Sequence, residues 1–126
     1  MDSIIGTVIR FAAPGGLVDV TIDEDNPATR DLLSILPLTL TFEDFAGREK
    51  IAYLPRELQF AGSLASTGAS GDLAYYTPWG NLAFFYDGEP GTPSERLIHL
   101  GRFDASLDQL ELLQEGDVNV DIVESP

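Results

Sequence analysis

The chain has 126 residues, no cysteine and a formal net charge of −14. One domain spanning 1–126 fits that length, and the absence of cysteine excludes a disulfide framework, a thiolate metal site and a cysteine nucleophile. Twenty-one acidic residues against seven basic ones create a field that repels phosphate backbones and anionic bilayers, so neither nucleic acid nor membrane is expected as a partner.

Residues 4–11, IIGTVIRF, are rich in β-branched side chains and predict a strand. The turn Pro14-Gly15-Gly16 leads into LVDVTI, where Val18, Val20 and Ile22 share one face. Asn26 can cap a helix whose first position is Pro27, and Ala28, Leu32, Leu33, Ile35 and Leu36 give it one apolar stripe. Pro37 ends that helix. The stretch 36–45, LPLTLTFEDF, then alternates, with Leu36, Leu38, Leu40 and Phe42 opposite Thr39, Thr41 and Glu43, as in a half-buried strand. AGRE turns the chain into KIAYL, and RELQF after Pro55 predicts a short edge element. Residues 61–71 are small and polar and predict a flexible surface loop.

DLAYY and NLAFFY predict a hairpin turned by TPWGN. Leu73 and Tyr75 point one way and Ala74 and Tyr76 the other; Leu82, Phe84 and Tyr86 oppose Ala83 and Phe85. Both faces are therefore apolar. One lines a core, and the other needs a loop, a ligand or a partner to cover it. A loop at 87–95, a strand RLIHLGRF, a short helix capped by Ser106 and a closing strand 118–123 complete the chain. Seven or eight strands with two short helices predict a mainly β protein whose sheet closes on itself or forms a sandwich, the helices plugging the open ends if it is a barrel.

This order resembles the cyclophilin fold, and most closely the cyclophilin-like proteins of bacteria and archaea whose function is uncharacterised. The resemblance rests on NPATRDLLSILPLTLTFEDFAGREKIAYLP, GDLAYYTPWGNLAFFYDG and LIHLGRF, and it covers about Ser3 to Val123. It implies an eight-stranded barrel with a helix over each end. Cyclophilins are peptidyl-prolyl isomerases, and Phe84-Phe85 looks like their paired phenylalanines, which implies Phe85 as the floor of the proline pocket. Their polar groups are not matched. The glutamine position falls on Ala83, Leu97 lies near the histidine position, and no Phe-His-Arg follows the first helix. Rotation about a prolyl bond has a barrier of about 20 kcal/mol, and without a guanidinium beside the twisted amide efficient catalysis is not expected.

The expected function is a binding module for a peptide or small ligand, with Tyr76, Trp79 and Phe85 as the groove wall and no catalytic residue assigned. Arg48 and Arg56, at strand ends, are the candidate polar contacts. A divergent prolyl isomerase and a self-associating structural subunit are the alternatives. No cofactor or metal is expected: a single histidine, His99, cannot build a His-rich site, and Asp23 to Asn26 lack the glycine and distal glutamate of a calcium loop. The first residues hold no basic segment before an apolar run, so a cytoplasmic location is expected. The dispersed acids read as a solubilising shell rather than a docking face.

Overall fold

A computed structural model describes residues 3–88 and 93–126. The middle of the loop expected at 87–95 lies outside the described residues. The elements are β1 (Val8–Ala13), β2 (Gly16–Ile22), α1 (Pro27–Ser34), β3 (Leu38–Leu40), β4 (Glu43–Phe45), β5 (Glu49–Tyr53), β6 (Ala65–Ser66), β7 (Asp72–Tyr76), β8 (Asn81–Phe85), β9 (Ser94–Phe103), α2 (Leu107–Glu111) with a 3-10 turn at Leu112–Gln114, and β10 (Val118–Glu124).

Both helix starts follow from their caps. The Asn26 side chain accepts from the Thr29 amide at 2.9 Å while Thr29 Oγ1 accepts from the Asn26 amide at 3.0 Å, and Ser106 and Gln109 form the same reciprocal pair. Ala28 and Leu32 of α1, Leu110 of α2 and Leu113 after it are fully buried, and all join one core with Ile9, Phe11, Val20, Leu73, Tyr75, Leu82, Phe84 and Leu100. The inward set of the 73–86 hairpin is thus the one that alternation selects. The 4–11 strand begins later than expected, at Val8.

The pairings are all antiparallel and run β3-β10-β1-β2-β9-β7-β8-β5-β4, with β6 attached to β9. Among the described residues the sheet has ten strands rather than the expected eight or so, and no hydrogen-bonded ladder joins its ends into the expected closed barrel. Its two edges, β3 and β4, are consecutive in the chain and joined through Thr41 and Phe42. The single strand expected over 36–45 is broken because Phe42 leaves the ladder. Its buried ring packs edge-on to Phe11 at 6.0 Å and Phe84 at 5.6 Å between centroids. RELQF forms no strand; Leu58 alone of that segment is buried, its amide donating to Tyr75 Oη at 3.1 Å. Part of the 61–71 loop is instead β6.

Where β2 crosses β9 the backbones touch. A Cβ on Gly101 would lie 2.6 Å from the Thr21 carbonyl oxygen and 2.9 Å from Val20 Cγ1. Gly101→Ala is therefore expected to cost about 1–3 kcal/mol in urea unfolding, because a carbonyl in a ladder cannot retreat. A cost within error of zero would mean that the Thr21 carbonyl and Val20 yield to the added methyl group. Among the described residues no helix is long and apolar enough to cross a membrane.

Candidate functional site

The outward faces of β5, β7, β8 and β9 carry a second, smaller apolar cluster: Ile51, Ala74, Ala83 and Phe85, with Leu97 against it. Register explains it. Ile51 pairs Ala83, Ala83 pairs Ala74, and Tyr76 pairs Leu97, so period-2 alternation stacks these side chains on one side of the sheet. The 61–71 segment covers part of this face. Gly68 lies against the Phe85 ring, and Ser70 and Gly88 exchange hydrogen bonds that pin the segment to the end of β8. A Cβ on Gly88 would fall 1.9 Å from the Gly68 carbonyl oxygen, so only glycine permits this approach.

Beyond that cover the face opens into a pocket of about 280 Å³, lined by Phe45, Glu49, Tyr76, Trp79, Phe85, Ser94 and Leu97. All three groove residues expected from the sequence, Tyr76, Trp79 and Phe85, meet here. Phe85 is 9% exposed and forms the floor, whereas Trp79, in the β7–β8 turn, is 49% exposed at the mouth. Trp79 stands edge-to-face between Tyr76 (5.3 Å, 89°) and Phe45 (5.4 Å, 81°). A larger depression of about 640 Å³ between β2, β9 and the start of α2 is lined by Asp19 and Arg102, each already committed: Asp19 to Arg10 at 2.8 Å and Arg102 to Asp72.

Neither arginine lines the pocket. Arg48 is exposed in the β4–β5 turn. Arg56 forks onto Asp31 of α1, with both contacts at 2.8 Å, and this hydrogen-bonded pairing holds the Asp31 carboxyl well below the usual carboxylate range. The charged group at the pocket is instead Glu49, which pairs Phe85 across the ladder on one side and Phe45 on the other. Burial, and then the nearby charge of Asp44, raise its pKa above the ordinary glutamate value. Among the described residues its carboxylate makes no ion pair or hydrogen bond.

Two of the lining residues, Phe45 and Glu49, carry a signal in the sequence. Phe45 falls on the same side of its strand as Thr39, Thr41 and Glu43, an apolar ring on a polar face. Glu49 closes the AGRE turn, yet it shares parity with Ile51.

The sign of the Glu49 shift gives a testable pH dependence. A carboxyl whose folded pKa is raised stabilises the fold fully below its unfolded value and loses that contribution as pH rises through the folded value. Glu49→Gln keeps the neutral form at every pH. The variant is expected to match the parent in acid and to exceed it in stability at neutral pH, read from urea midpoints at both; a constant offset across pH would refute this.

His99 pairs with Ala74 and shares its outer side of the sheet, while β6 pairs beside it along β9. Its Nε2 lies 2.7 Å from Asp23 and its Nδ1 3.8 Å from Asp72, while its amide donates to the Leu64 carbonyl at 2.9 Å. These contacts tie the covering segment and the β2–α1 connection to the sheet. Among the described residues no group of three or more His, Asp or Glu side chains is placed to share a metal ion.

Comparison with known proteins agrees with this architecture. The solution structure of a hypothetical protein from Archaeoglobus fulgidus superposes with a TM-score of 0.64 at 20% identity, covering 99% of this chain and 98% of the other. That likeness bears on the fold alone. No curated protein matches the chain. The model of the Cyclophilin-like family matches residues 12–123, from the last two residues of β1 through nearly all of β10. By that match over most of its length, the chain belongs to the cyclophilin-like family.

Proposed function

We propose that this protein is a binding module that receives a short peptide or small ligand in the pocket of Tyr76, Trp79 and Phe85, without efficient prolyl isomerisation. The observation that carries this reading is the pocket itself: a recess of about 280 Å³ with a buried ring as floor and exposed rings at its rim. The lining residues include no arginine, and Ala83 and Leu97 surround Phe85 where isomerases are implied to carry polar groups. Such a site offers apolar contact but no guanidinium to donate to the amide of a twisting prolyl bond.

A protease-coupled prolyl-peptide assay at high protein concentration is expected to give no rate above the uncatalysed one. Phe85→Ala is expected to weaken binding of short peptides, followed by Trp79 emission, about tenfold. Turnover that disappears in a folded Phe85→Ala variant would establish the isomerase instead. Self-association through the exposed Phe45 and Trp79 rings is the competing use of the same surface, and a monomer in sedimentation at high concentration removes it.

A further inference from the structure

We infer that the pocket selects a cationic head group, a protonated or quaternary amine; this deepens the binding reading above and rests on it. Three features converge. First, the walls are rings set at right angles: Trp79 stands at 81° to Phe45 and 89° to Tyr76, with Phe85 below. Aromatic rings carry negative π-faces, and an ammonium group that settles over one of them in a recess sheltered from water is attracted to it.

Second, the charged side chain among the lining residues is an acid. Glu49 lies between Phe45 and Phe85 in the ladder, is half-buried and makes no ion pair among the described residues. The neighbouring Lys50 does not neutralise it, because alternation sends Lys50 to the opposite face, where it bonds Asp44 and Gln114. A carboxylate left partly desolvated and unpaired has its charge restored to balance by a bound cation. Burial and Asp44, which together disfavour the free anion, also mean that such a ligand takes up interactions that water no longer supplies.

Third, the long-range field agrees with the local one, since a net charge of −14 concentrates cations and repels anions around the mouth. At about 280 Å³ the recess suits a head group better than a whole peptide. The amine is either free or borne on a lysine-type side chain. The chemistry recognised is the same.

Trp79 is the chain's single tryptophan, so its emission reports the site directly. Choline and its neutral isostere 3,3-dimethyl-1-butanol are titrated at constant ionic strength, alongside N-acetyl-trimethyllysine amide and N-acetyl-norleucine amide. Each cation is expected to bind at least about tenfold more tightly than its neutral partner. Tighter binding of choline than of the trimethyllysine amide indicates a free amine; the reverse indicates a side chain presented on a peptide. Glu49→Gln is expected to lower choline affinity about tenfold and to leave dimethylbutanol unchanged. Asp108→Asn, an exposed acid of α2 outside the pocket, is expected to change neither.

Equal binding of choline and its isostere overturns the inference while leaving an apolar pocket that binds. Equal losses in the Glu49 and Asp108 variants also overturn it, since the attraction is then that of the whole acidic surface. If no cation perturbs Trp79 but short peptides do, the inference alone falls. If nothing perturbs it, the binding reading falls with it.

Discussion

Phe84→Ala is expected to lower the unfolding free energy by about 4 kcal/mol and the melting temperature by roughly 15 °C. Phe84 is fully buried at the meeting point of the core rings, edge-on to Phe11 at 4.8 Å, Phe103 at 5.1 Å and Phe42 at 5.6 Å. These partners come from β1, β9 and the β3–β4 link, so the cavity left behind opens in elements from distant parts of the chain. None can collapse into it without shifting a ladder, which places the cost toward the upper part of the range for aromatic truncation. Urea unfolding with an unchanged slope measures it. A loss under about 1 kcal/mol would mean that the ring cluster is not the centre of the core.

Asp44→Asn is expected to cost about 3 kcal/mol for a different reason. The Lys50 side chain is 4% exposed, with its ammonium 3.1 Å from Asp44 Oδ1, bonded to Gln114 Oε1 and 5.3 Å from the Tyr86 ring centroid. Removing the carboxylate strands a buried ammonium. Asp44 itself is 34% exposed, so the lower end of the usual range for a broken buried pair applies. The double variant Asp44→Asn/Lys50→Met, which removes both charges, is expected to recover about 2 kcal/mol of that loss, and the Lys50→Met single variant completes the cycle that gives the coupling energy. Additive losses would show that the pair contributes nothing as a pair.

Acid acts on the same contact. The hydrogen bond from Tyr86, with Lys50 and the Gly47 amide, holds the Asp44 pKa below its ordinary value, while burial and the bond to Asp44 push Tyr86 up to about 12. A depressed carboxyl stabilises the fold above its unfolded pKa and loses that contribution as pH falls through the folded value. Asp44 and Glu49 therefore act with opposite signs across the acid range, although both belong to the β4–β5 hairpin. The hairpin sets its Asp44–Lys50 pair on one side of the sheet and its unpaired glutamate on the other.

Local chemistry made much of the molecule legible in advance. Asn26-Pro27 and Ser106 mark helix starts because caps and the missing proline donor act within one turn. The 73–86 hairpin sorts into Leu73, Tyr75, Leu82 and Phe84 against Ala74, Tyr76, Ala83 and Phe85 because side chains alternate whatever the strand's neighbours are. The gathering of Tyr76, Trp79 and Phe85 could be expected for the same reason: they lie close in sequence on one face and its turn.

Tertiary structure decided what depends on distant partners. Alternation puts Phe42 on the buried side, but the break in the ladder at Thr41-Phe42 accompanies ring contacts with Phe11 and Phe84, which come from distant strands. The 61–71 segment covers Phe85 because Gly88 lets it approach, and that contact crosses from one loop to another. The placement of Glu49 beside Phe85, and of Arg56 on Asp31 away from the pocket, follows from register and from chain crossings rather than from residue type. Alternation and capping are short-range and can be read along the chain. Charge pairing and the covering of a face are long-range, and they put a carboxylate, not a guanidinium, at the aromatic pocket.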